Sequence, residues 1–357
     1  MVTRQLKLRP TVKQGATLNE WLWMLTGVHN WASRKIELDA SDGIYHSRFD
    51  LINLIAEHGA KIGVPSHAIQ GQVRVAHESW ARCFQKISKK PRLKGKRNKL
   101  SSISFPDPFR APKNGRIRVP NLGKVHFHKQ GLPEGKIKCG RILKKANGWY
   151  LSLVIDAAPN AIPITGNGEI GIDPGFKNLL TLSSGTKIEH PRELEAGAKR
   201  LAQAQRGENK KLVSRLHAHI ANQRKDRNHK LSRSLVSENG TIFWSKDNTK
   251  AISKKFGKSV SSSAHSQLRQ FISYKAQSCG REYAEVANFN STRQCSRCEA
   301  LTGPHGISML KVRFWKCSAC GAELDRDVNA ALNTLRIGRG LRHENIREGM
   351  SETFVNL

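Results

Sequence analysis

Four cysteines stand in two matching pairs, CSRC and CSAC, with 18 residues between them: Cys295, Cys298, Cys317 and Cys320. Each C-x2-C turn brings two thiolates to one point, and two such turns at this separation close a four-sulfur cage of the kind that holds zinc. Four protein ligands leave no open coordination position, so such an ion clamps loops together and does not polarise a substrate. Cys83, Cys139 and Cys279 are isolated and are expected to be buried thiols.

Beside the cysteines stand carboxylates. The segment GIDPGFKNLLTLSSG presents Asp173, and WKCSACGAELDRDVNAALNTL presents Asp325 and Asp327. Alone, each motif is weak, because Asp-Pro-Gly is usually a turn and an Asp before NAALNTL is usually a helix N-cap. Together they suggest phosphodiester cleavage by two divalent ions, which sit only about 3.5–4 Å apart and need several carboxylates to offset their repulsion. A third acid is expected near TIFWSKDNTK, residues 241–250, yet that strand ends in Trp244, Ser245 and Lys246. A hydroxyl at Ser245 cannot supply a carboxylate's charge.

The elements that must position these groups follow from periodicity. RQLKLRP alternates leucine with basic residues and reads as an edge strand closed by Pro10. Helical spacing runs from about Thr17 through Trp21, Leu25 and Trp31, and again through Ile69, Val73, Trp80, Phe84 and Ile87 after a Ser66 N-cap, so residues 16–89 form a helical module whose striped tryptophans pack a core. Residues 101–156 alternate short apolar segments with turn residues, the pattern of a small barrel that also takes the first strand. From Glu169 the pattern becomes α/β: a hairpin with Asp173 at the end of its first strand, a basic helical stretch over 191–235, the strand ending at Ser245, the helix SSSAHSQLRQFISYKAQSCG, and the strand REYAEVANF entering the cysteines. A poorly ordered tail is expected from about Leu341.

Charge narrows the partners. The chain has 357 residues, with 61 Lys and Arg against 28 Asp and Glu, a net charge of +33. A basic excess of this size fits nucleic acid, and no apolar run approaches the ~20 residues of a membrane span. The run KKPRLKGKRNK places Lys89, Lys90, Arg92, Lys94, Lys96, Arg97 and Lys99 together with no acid, a candidate phosphate contact. The stretch MVTRQLKLRP lacks the apolar core of a signal peptide, so a cytoplasmic, reducing compartment is expected, in which the cysteines stay thiols or ligands.

The order GIDPGFKNLLTLSSG, YKAQSCG, STRQCSRC, WKCSACGAELDRDVNAALNTL resembles the transposon-encoded TnpB family of RNA-guided nucleases, related to type V CRISPR effectors. The likeness continues upstream through PRLKGKRNKLSSISF, NLGKVHFH, GWYLSLV and RKDRNHKLS. It implies an α/β plus β-barrel, multidomain chain. Residues 1–15 and 90–165 would be a wedge-like oligonucleotide-binding barrel, and 16–89 its helical recognition insertion. Residues 166–292 and 322–340 would form a RuvC-like domain of RNase H fold, interrupted by a zinc ribbon at 293–321, with 341–357 as tail. By motif position Asp173 matches the family's first catalytic acid and Asp327 its third, while Ser245 stands where relatives carry glutamate. Other relatives place that acid near the strand before the cysteines, where this chain has Asn288 at the acid's position and retains Glu285 nearby, so the two family positions are those of Ser245 and Asn288. Both positions look vacated, which resembles the nuclease-dead derivatives called TldR proteins, guide-directed transcriptional repressors. The resemblance further implies a guide RNA of transposon-end type, a double-stranded target DNA beside a short flanking motif, structural zinc, weak or non-productive magnesium, and a nucleoid-associated bacterial protein. The competing readings are an active nuclease with Glu285 or Asp247 filling the gap, and a plain zinc-ribbon DNA reader, which lacks a recognition-helix motif.

Overall fold

The computed structural model describes residues 1–96, 98–107, 109–128, 131–158, 161–190, 193–246, 257, 263–287, 290–305, 309 and 311–347. The chain divides into two compact units, Met1–Pro159 and Asn160–Leu357.

In the first unit, β1 (Val2–Arg9) leads into α1 (Val12–Ser41), α2 (Arg48–Lys61) and α3 (Ser66–Phe84), followed by β2 (Ser102–Phe105), β3 (Arg116–Val119), β4 (Gly123–Phe127), β5 (Lys136–Lys145) and β6 (Gly148–Asp156). The strands form one six-stranded sheet in the order β2-β5-β6-β1-β4-β3, antiparallel throughout. β1 is therefore not an edge strand: residues 2–7 ladder with β6 and residues 8–9 with β4, so it joins the two halves of the sheet. Its alternation buries Leu6 and Leu8. Helix α1 starts earlier than periodicity suggests, because Thr11 and Gln14 form a reciprocal capping box. In α3 the N-cap is Pro65 and Ser66 is already helical, while Ile87 lies beyond the helix and is 63% exposed. Trp21 and Trp80 are buried in the shared core as expected. Cys83 and Cys139 are only half-buried, as is Cys279 in the second unit.

The second unit opens with the hairpin β7 (Gly168–Pro174) and β8 (Asn178–Leu182) and continues through β9 (Lys187–Glu189). Then come α4 (Glu193–Ala196), α5 (Ala198–Arg206), α6 (Lys210–Glu238), β10 (Asn239–Lys246), α7 (His265–Ser278), β11 (Glu282–Ala287), β12 (Phe314–Lys316), β13 (Glu323–Asp325) and α8 (Arg326–Arg347). The main sheet has the order β11-β10-β7-β8-β9, with β10 and β11 parallel to β7 and the other ladders antiparallel. One face buries Ile170, Ile172, Ile242 and Trp244 against Leu268 and Ile272 of α7 and Leu235 and Val236 of α6. The opposite face takes α8. There Gly171 is obligatory, since a Cβ would run into the Ala331 carbonyl, and Gly338 lies directly on the Phe243 ring. The α8 backbone remains helical to Arg347, past the point where the tail was expected.

Candidate functional site

Strand register decides which acids can meet. β7 and β10 run parallel with Ile172 opposite Trp244, so one step further along the same register Asp173 stands beside Ser245. These two follow Gly171 and Phe243 at the two-residue period of a strand and so share the face covered by α8. Ser245 is 0% exposed and its hydroxyl has no hydrogen-bond partner among the described residues. On its other side it pairs with Val286 of β11, an aliphatic group with nothing to offer it.

Helix α8 brings the other acids. Asp325 caps it, its Oδ1 accepting from the backbone N–H groups of Asp327 and Val328 at 3.0 Å each. Burial alone would raise the Asp325 carboxyl, but Lys187 at 2.5 Å and those two amides hold it below its ordinary value. Asp327, in the first turn, accepts from Arg313 Nη1 at 3.3 Å. Arg326 is nearly buried and donates to the Met309 carbonyl at 2.8 Å. Burial lowers its pKa, while the nearby charges of Asp327 and Asp173 oppose that, so this one guanidinium lies within electrostatic reach of both acids. Asp173 and Ser245 thus share the sheet face that α8 covers, and Asp327 lies in the first turn of that helix.

Glu285 does not join them. It pairs with Trp244, which places it on the α7 face, where its Oε2 accepts from Arg269 Nη1 at 2.9 Å. The reason is parity: in a strand whose Val286 faces α8, residue 285 must face the other way. Asn288 and Asp247 lie outside the described residues.

The cysteines converge as their spacing suggests. Their four sulfurs lie within 4.8 Å of one another, with Cys295 to Cys320 at 3.8 Å and Cys298 to Cys317 at 3.6 Å. A tetrahedral ion with metal–sulfur bonds of about 2.3 Å requires edges of about 3.8 Å, so the cage fits zinc. The knuckles are built alike: the N–H of Glu299 returns to the Cys295 carbonyl and that of Gly321 to the Cys317 carbonyl, with φ of 66° and 71°. The Thr302 hydroxyl, donating to Cys317 Sγ at 3.2 Å, is the first cause lowering that thiol to about 6, favouring the thiolate a metal needs.

Two asparagines that sequence reasoning passed over join this cage to α8. Asn329 and Asn333 are fully buried and both donate to the carbonyls of Ser291 and Gln294, while Asn329 Oδ1 accepts from the Ser296 N–H at 2.8 Å. The signal was present as two amides four apart on the apolar face of NAALN. In the first unit, the basic run crosses from α3 to β2 without regular structure. Lys89, Lys90, Arg92, Lys96 and Lys99 are exposed, and Lys94 is half-buried because Asn30 holds its backbone N–H at 2.7 Å and carbonyl at 2.9 Å. Lys90 pairs with Glu37, and Arg97 lies outside the described residues.

A protein of Streptomyces pristinaespiralis named "Putative RNA-guided DNA endonuclease" is 32% identical over 295 residues, 77% of this chain and 72% of that protein. The chain belongs to the TnpB/IS605 family. InsQ of Escherichia coli (strain K12), which carries the same description, is 25% identical over 78% of this chain and 75% of its own length. The family described as "Probable transposase" matches residues 155–251 of this TnpB-type chain, and "Cas12f1-like, TNB domain" matches 265–334. The second match runs from the start of α7 through both knuckles into α8. Among solved structures, "Cryo-EM structure of the Cas12f1-sgRNA-target DNA complex" aligns over 94% of this chain and 99% of that one, at 17% identity and a TM-score of 0.37. No helix among the described residues of this TnpB-type chain is long and apolar enough to cross a membrane.

Proposed function

We propose that this TnpB-type protein binds DNA under the direction of a guide RNA, no longer cuts it, and represses transcription at guide-matched sites beside a short flanking motif. The observation that carries the reading is Ser245: a buried hydroxyl on the rung next to Asp173, with the neighbouring Glu285 turned to the other face and held by Arg269. Two carboxylates, Asp173 and Asp327, cannot offset the repulsion between two adjacent divalent ions, so magnesium binds weakly or unproductively. The strand arrangement, three antiparallel strands followed by two parallel to the first, supports an RNase H-like, RuvC-type domain as the remnant of the nuclease. Zinc in the four-cysteine cage would be structural, holding the knuckles against α8.

The partners follow from charge and kinship. The relatives are described as RNA-guided DNA endonucleases, and the net charge of +33 suits two polyanions at once. The protein reads the flanking motif while base pairing reads the target. Lys89, Lys90, Arg92, Lys94, Lys96, Arg97 and Lys99, with the basic face of α6, grip phosphates in this reading.

The test is the purified protein with its co-purified RNA, a matched DNA duplex and magnesium. Guide-dependent binding without strand scission is the expected result. Scission that disappears in Asp173→Ala would mean that another acid completes the site, and the repressor reading would yield to an active nuclease.

A further inference from the structure

The segments RKDRNHKLS and YKAQSCG, far apart in the chain, meet where α6 packs on α7, on the side of the sheet opposite Asp173. The buried Lys275 joins them: its Nζ donates to the His229 carbonyl and to the Ser232 hydroxyl, both at 2.6 Å. Next to this link the imidazole of His229 lies parallel to the ring of Phe271, with centroids 4.0 Å apart and planes 14° apart. Tyr274 stands edge-on to Phe271 at 5.9 Å and is 48% exposed. Burial, then the charges of Lys275 and Lys225, lower the His229 pKa, so at neutral pH the imidazole is an uncharged stacking surface.

Cations line the same ridge. Lys225 and Arg233 are exposed and stand one helical turn before and after His229, about 6 Å away along the axis in each direction. Asp226, the acid of this stretch, is engaged by Lys230 at 2.8 Å. Aromatic rings at a surface, flanked at nucleotide-scale intervals by cations, match what an unpaired strand offers: a π-face on each base and a charge on each phosphate. A duplex offers the charges without the faces.

We propose that His229, Phe271 and Tyr274 form a stacking platform for unpaired nucleotides, with Lys225 and Arg233 holding the phosphates on either side. The platform rests on the nucleic-acid reading of the chain and is independent of whether the acids on the opposite face cut. Its ligand is a single-stranded segment, supplied either by the guide RNA or by the displaced strand of the target DNA.

The experiment uses the full chain and three probes of one sequence: a single-stranded ribo-oligonucleotide, the deoxy version, and a DNA duplex. Each carries a fluorophore for anisotropy, and the single strands also carry a 4-thio pyrimidine for cross-linking. Tyr274→Ala is expected to weaken single-strand binding about tenfold, within the range for losing one stacked base, while Tyr274→Phe restores it and duplex binding stays unchanged. Lys225→Glu should reduce the salt slope for the single strand by about 0.7, one phosphate contact. Cross-links should fall on the peptide containing Phe271 and Tyr274. Loss confined to the ribo-oligonucleotide assigns the site to guide RNA, and loss confined to the deoxy strand assigns it to the displaced strand. Unchanged single-strand affinity in a Tyr274→Ala protein that melts like the parent, with cross-links elsewhere, overturns the platform alone. A parent chain that binds none of the probes overturns the nucleic-acid reading itself.

Discussion

Glu285 stands opposite Trp244 in the β10–β11 ladder, and its carboxylate is held by Arg269 at 2.9 Å on the face that α7 covers. The nearest acid in the strand beside Ser245 is thereby committed to an ion pair on the wrong side of the sheet. Glu285→Gln should lower stability by no more than about 1 kcal/mol, since the pair is partly solvated, and leave guide-dependent DNA binding intact. Thermal melts and duplex binding measure both. If the parent cuts DNA and this variant does not, the assignment of Glu285 to the α7 face fails.

Ser245 makes two opposite substitutions informative. Its hydroxyl is fully buried without a partner among the described residues, so Ser245→Ala should be neutral or stabilise the fold by about 1 kcal/mol, the reverse of an ordinary serine deletion. Ser245→Asp instead places a second carboxylate beside Asp173 and should destabilise by several kcal/mol without metal, with manganese or magnesium restoring much of the loss. Denaturation with and without divalent ions separates the cases. A clear loss of stability in Ser245→Ala would show that the hydroxyl is bound after all.

Removing zinc should unfasten α8 from the knuckles. Cys317→Ser is expected to lose the ion, one per chain by metal analysis, and to expose backbone amides of 291–298 and the first turns of α8 to hydrogen exchange. Asn329→Ala strands the Ser296 N–H, while Asn333 still donates to the Ser291 and Gln294 carbonyls; it should cost about 1–3 kcal/mol and speed zinc release to a chelator. Slow exchange in α8 after metal removal would mean that the sheet alone holds the helix.

Stability should fall with acid before the carboxylates titrate. His265, whose Nε2 contacts the Leu179 carbonyl at 3.0 Å, is lowered from 6.5 to about 4, chiefly by burial. The unfolded chain therefore takes up this proton first, so the stabilisation from a neutral His265 is complete above pH 6.5 and is lost as pH falls toward 4. His265→Gln should be less stable at pH 7.5 yet show a shallower decline between pH 6.5 and 4.5 in denaturant melts. An unchanged slope would remove His265 from the acid response.

The metal cage was legible from the sequence because its geometry is local: each C-x2-C turn is made within five residues, and thiolate chemistry selects the pairing. The same holds for Asp173 at a strand end and for Asp325 as a helix cap, since turn and cap preferences act over a few residues. The missing charge at Ser245 was also readable, as a residue type on a strand that had to be there. The tertiary structure decided what depends on register between distant strands. Glu285 is separated from Trp244 by 41 positions, and only the parallel pairing of β10 with β11 shows that it faces α7 while Ser245 faces α8. β1 became internal because β4 and β6 both found it, which its own alternation could not reveal. Asn329 and Asn333 looked like ordinary helix residues until the fold buried them against Ser291 and Gln294. Short-range stereochemistry is written in adjacent residues, whereas the choice of face and partner is made by burial, which acts on the whole chain at once.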